Sequence, residues 1–129
     1  MSQRNVEIVR EIFASAAPIT SNPRLAPDAE FDFSGLYPDQ PVLRGLEEMR
    51  AFRDSGPWGR SLSFAAERFF DVDDERVLVF VRATASGRQS GTPVETKVAH
   101  EITLRQGFIV RVKAHPDRAE ALRAMGLEE

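Results

Sequence analysis

The chain has 129 residues, no Cys, only two His (His100 and His115) and a formal net charge of −3. Its length suits one domain, residues 1–129, within the usual size of about 100–150 residues. The counts exclude disulfides, thiolate chemistry and a three-histidine metal site within one chain; the charge argues against a general nucleic-acid partner, and no apolar run approaches the ~20 residues of a bilayer span. The N-terminal stretch Met1-Ser2-Gln3-Arg4-Asn5-Val6-Glu7 leads into an amphipathic segment with acids in it, unlike a signal peptide, so the expected compartment is the cytoplasm.

Residues 5 to 17 carry Val6, Val9 and Phe13 on one helical line with Ile8 and Ile12 beside it, which predicts a helix with Asn5 as N-cap and a stop at Pro18. Pro18, Pro23 and Pro27 predict a loop over 18–28, with at most a short helix near Pro23 to Ala26. Ala29-Glu30-Phe31-Asp32-Phe33 alternates and reads as a short strand. A loop with Tyr37 follows, then a helix over about 43–53 with Leu46, Met49 and Phe52 at helical spacing, ended by Ser55-Gly56-Pro57-Trp58-Gly59.

The rest reads as strands over 61–72, 75–86, 94–104 and 108–114, with Gln106-Gly107 as a tight hairpin. Val77 to Val81 is apolar on both faces, which predicts a central strand covered on both sides. A last helix begins at Pro116 and stops at Gly126. Helices segregated from an antiparallel meander mean α+β, and a long sheet curled around helices leaves a cavity.

Several segments resemble the SnoaL-like members of the nuclear transport factor 2-like superfamily: Leu25-Ala26-Pro27-Asp28-Ala29-Glu30-Phe31-Asp32, Leu43-Arg44-Gly45 opening a helix, the stretch from Ala99-His100-Glu101 to Val110-Arg111, and Ala121 to Leu127. The resemblance covers nearly the whole chain. It implies a cone: a curved antiparallel sheet wrapped around N-terminal helices, with a C-terminal helix, an open-ended pocket and frequent homodimers. It also implies a small-molecule ligand and no cofactor, in a superfamily that spans ketosteroid isomerases, polyketide cyclases, dehydratases and non-catalytic binders.

His100 shares its strand face with Val94, Thr96, Val98, Ile102 and Leu104, so it points with the apolar side; either it is a core histidine satisfied by one partner or it does acid–base work in the pocket. By resemblance it falls where ketosteroid isomerase carries an acid that donates to an oxyanion, and Asp32 falls where that enzyme carries its general base. Alternation sets Asp32 with Glu30, opposite Phe31 and Phe33. If the phenylalanines face the core, Phe31 lines the pocket and Asp32 faces water. The isomerase's helix-borne Tyr is absent from Arg10-Glu11-Ile12-Phe13.

Tyr37 and Trp58, placed by the resemblance towards the open end of the cone, are expected pocket linings, or else loop packing. Arg82 shares its strand face with Leu78, Phe80 and Thr84 by alternation; it would bind an anionic or carbonyl group, or else lie over apolar surface. His115 is read as an exposed junction residue. Glu30, Asp32 and His100 have no spacing that requires a metal. The expected function is binding of a small, largely apolar molecule, with cofactor-free isomerase-, cyclase- or dehydratase-type proton transfer next to a carbonyl as its catalytic form. The competing expectation is a non-catalytic ligand-binding or homodimeric assembly domain.

Overall fold

Helical periodicity places the first element: Val6, Ile8, Val9 and Ile12 are all buried on one side of α1 (Gln3–Ala14). In the computed structural model, residues 3–15, 19–34, 42–55, 63–86 and 93–127 are described. The helix starts two residues before Asn5, which is therefore no N-cap. Its Nδ2 donates instead to the Asp74 carbonyl at 3.0 Å, tying α1 to a distant turn.

A 3₁₀ turn at Ile19–Ser21 takes the place of the short helix expected near Pro23. β1 (Leu25–Asp32) starts four residues earlier than Ala29. The reason is a partner that alternation cannot reveal: β1 lies parallel to β6 (Phe108–His115), with Phe31 opposite Val112. A two-residue strand, β2 (Leu43–Arg44), pairs with the other side of β1 before α2 (Gly45–Ser55) begins. Gly45 makes that turn at φ +83°, and a Cβ there would stand 3.2 Å from the Pro27 carbonyl oxygen.

β3 (Ser63–Asp71), β4 (Arg76–Ser86), β5 (Pro93–Arg105) and β6 form the expected antiparallel meander. Gln106 and Gly107 both have positive φ, 53° and 81°, as a two-residue hairpin twisted with its strands requires. The sheet runs β2-β1-β6-β5-β4-β3 and is mixed rather than wholly antiparallel, because of β1. Bulges between Ala66 and Arg68 and beside Leu104 bend it.

The concave side buries the main core. Val77, Val79 and Val81 of β4 and Val98, Ile102 and Leu104 of β5 pack there with α1 and with Met49 of α2. The convex side carries a smaller cluster of Leu78 and Ala99 under Ala121 and Leu122 of α3 (Arg118–Ala124). The two-faced run in β4 is thus covered by helices of its own chain on both sides. Asp117 caps α3, its Oδ1 accepting from the N–H groups of Ala119 and Glu120. Arg118 clamps the helix down: it donates to the carbonyls of Val98 at 3.1 Å and Val81 at 3.0 Å, pairs with Glu67, and lies 4.8 Å over the Phe80 ring.

Candidate functional site

The curl of the sheet leaves a cavity of about 240 Å³ between its concave face and the helices. Alternation fixes which strand residues reach it: Phe31 from β1, Phe64 from β3, His100 from β5 and Val112 from β6. Ile12 and Phe13 of α1 close one side, and Met49, Phe52 and Arg53 of α2 close another. Phe33, just past β1, joins them; its ring centre lies 6.3 Å from that of Phe31 and 5.7 Å from that of Phe52. The wall is therefore largely aromatic.

His100 is the deeply buried polar member of this wall, which also holds Ser15, Ser63 and Arg53. It is 4% exposed, with Phe64 meeting it edge-on at 5.0 Å and Phe33 at 6.5 Å between ring centres. Its Nε2 is the one buried side-chain polar atom among the described residues that lacks a hydrogen-bond partner. Burial, with a smaller push from His115, lowers the imidazole pKa to about 4. At pH 7 only about one ring in a thousand is then protonated, so His100 presents a neutral imidazole to the cavity. An unsatisfied buried nitrogen costs about 1–3 kcal/mol, a cost that a bound polar atom would offset.

The other expected site residues separate from His100. Asp32 is not part of the cavity wall. It stands on the convex side, where its Oδ1 accepts from Ser34 Oγ at 2.6 Å and Ser34 N at 3.0 Å and its Oδ2 lies 3.5 Å from Arg111. These bonds, the Ser34 hydroxyl first, hold its carboxyl below the usual range, the wrong direction for a general base near neutrality. The alternation that buries Phe31 turns Asp32 outward. Asp32 thus takes the outward-facing alternative, away from the general-base place implied by the resemblance, and is not brought together with His100 at the cavity.

Arg82 is exposed on the convex side, beyond Leu78 and Phe80 and opposite Lys97, so it is not a cavity residue either. Tyr37 and Trp58 lie outside the described residues. Phe31 does line the cavity. His115 is not an exposed junction: with 16% of its side chain accessible, its Nε2 donates to Glu101 Oε1 at 3.0 Å. Among the described residues no group of three or more His, Asp or Glu is placed to hold a metal ion.

Sequence reasoning missed Arg53, Phe33 and Phe64 as wall residues. The signal for Arg53 was present, since it follows Leu46 and Met49 at helical spacing. Phe33 shares the face of Phe31 by simple alternation.

Neither a protein-family model nor a curated protein matches this chain. Solved structures do. An NTF2-like protein of unknown function from Burkholderia pseudomallei superposes with a TM-score of 0.69 at 23% identity, covering 94% of this chain and 96% of that one. The fold is nuclear transport factor 2-like. A candidate SnoaL-like polyketide cyclase from Jannaschia shares this NTF2-like fold at TM-score 0.66 and 18% identity, covering 97% of this chain and 93% of that one. So does TerC, co-crystallised with polyporic acid, at TM-score 0.69 and 21% identity, covering 95% and 98%. Identities this low carry the NTF2-like architecture, and that alone, across to this chain.

Proposed function

We propose that the protein binds a small, largely apolar molecule in the concave cavity, with one polar atom of that molecule meeting His100 Nε2. The observation that carries this reading is the unpartnered, buried Nε2 set in an aromatic wall. Selection for stability alone favours filling such a place with an apolar side chain. TerC, which shares this fold, is co-crystallised with polyporic acid, which supports a ligand role for the fold.

Binding is supported ahead of catalysis. Proton transfer next to a carbonyl needs a base and a donor, and Asp32 faces away from the cavity. A catalytic form would rest on His100 alone, as a neutral N–H donor to a carbonyl oxygen or as a weak base. The assembly alternative is weaker, because α3 covers the side of β4 that would otherwise call for a partner.

Titration calorimetry with 1-naphthol tests the reading. Saturable binding is expected, weakened about tenfold or more in His100→Leu through loss of one hydrogen bond to a desolvated group. The same affinity in both proteins, or no saturable binding of any naphthalene probe to the wild type, would overturn it.

A further inference from the structure

Charge within the cavity runs against that of the whole chain. The molecule carries a net −3. Yet no described wall residue is a carboxylate, and Arg53 is the one formally charged side chain among them. Arg53 occupies the last turn of α2 and is only partly buried, so it marks a place where the cavity meets solvent. Among the described residues no carboxylate pairs with it. Its planar guanidinium therefore keeps a two-pronged donor edge for a planar anion, which a carboxylate fits better than a neutral amide.

The volume and the rings narrow the rest of the ligand. A cavity of about 150 Å³ holds a benzene, and drug-sized pockets begin near 300 Å³. At about 240 Å³ this one suits a bicyclic aromatic body. Phe33 and Phe52, tilted by 34°, and Phe64 offer the offset and edge contacts that aromatic rings prefer. His100 projects from the sheet wall and Arg53 from the helical wall, so two polar groups act on one ligand from different sides.

We infer that the cavity selects small aromatic acids: the ring system lies among Phe33, Phe52 and Phe64, the acid group pairs with Arg53, and any second polar atom meets His100 Nε2. This rests on the ligand-binding reading and adds the class of ligand. Arg53 is the selectivity-determining residue, and it acts by direct contact with the anionic group.

The test is calorimetric titration of the full chain with 1-naphthoate and with its neutral counterpart 1-naphthamide, in the wild type, Arg53→Gln and Arg53→Lys. The wild type is expected to bind naphthoate about tenfold more tightly than naphthamide. In Arg53→Gln that ratio falls to about one while the naphthamide affinity holds, and Arg53→Lys recovers part of it because the charge is kept. Equal binding of the two probes by the wild type overturns the acid preference and leaves the cavity reading standing. So does binding of 1-naphthol without binding of naphthoate. A preference that survives in Arg53→Gln removes Arg53 from its assigned role. Failure of every naphthalene probe overturns both readings. Were Arg53→Gln not to fold by circular dichroism, the wild-type ratio and its narrowing at high salt still decide.

Discussion

His100 and Glu101 are neighbours in one strand, both buried, and they live under opposite rules. Glu101 looks outward to the convex side and is answered twice, by His115 at 3.0 Å and by Arg76 at 3.5 Å. His100 looks inward and its Nε2 is answered by nothing in the described chain. The convex side spends its polar groups on one another: Glu30 with Arg44 and Arg111, Asp73 with Arg76, Arg118 with two carbonyls and Glu67. The concave side holds a polar atom in reserve. A polar group that is paired within the fold serves the fold; one that is buried and unpaired is available to something else.

The contrast can be broken most severely from the outside. Glu101→Ala takes from His115 its carboxylate partner and from Arg76 the weaker of its two, and is expected to cost about 3 kcal/mol, read as a lower urea midpoint at unchanged slope. A loss below about 1 kcal/mol would show that the pair is not knitted into the structure.

Acid should reach the inner histidine next. The His100 pKa is lowered in the folded state from 6.5 to about 4, so between those values the unfolded chain binds a proton that the folded chain refuses. Stability is therefore intact above pH 6.5 and falls as the pH drops towards 4; between pH 7 and pH 5 the loss from this residue is about 2 kcal/mol. Denaturant titrations of wild type and His100→Leu at the two pH values isolate it, and parallel pH dependences would refute it. Glu101 contributes only further down: its carboxyl is held below its usual 4.5, chiefly by the His115 hydrogen bond, so its share is present above that value and fades as the pH falls through the lowered one.

The smallest expected effect has the opposite sign. At pH 7 His100→Leu should gain about 1 kcal/mol, because an unpaired nitrogen leaves an apolar site, while ligand binding suffers. A destabilised His100→Leu would mean that the ring is held by packing that a leucine cannot reproduce.

Much of the architecture was legible because period-two alternation and helical spacing are local. The four strands from β3 to β6, the Gln106-Gly107 turn and the three helices lie within a few residues of where spacing places them. The parallel seat of β1 was not legible. Its partner is far along the chain, and nothing inside Leu25–Asp32 encodes direction. The same alternation that correctly buried Phe31 and His100 had already set Asp32 outward, and only the resemblance to an isomerase drew it in. Arg53 shows the converse omission: its spacing from Leu46 and Met49 puts it on the inner face, yet as the last residue of the expected helix it drew no role.

The seat of β1 also bears on the order of assembly. Glu30 bonds to a residue 81 positions later, Arg111. Phe31 reaches its place in the wall only when Val112 of β6 is present to pair with it. Closing so long a segment is slow compared with forming the β3–β6 hairpins, whose contacts are local. On the ribosome, the meander can therefore begin to collapse as it emerges, whereas the cavity must wait for β6. A chamber built this way is completed late, only after β6 has been made.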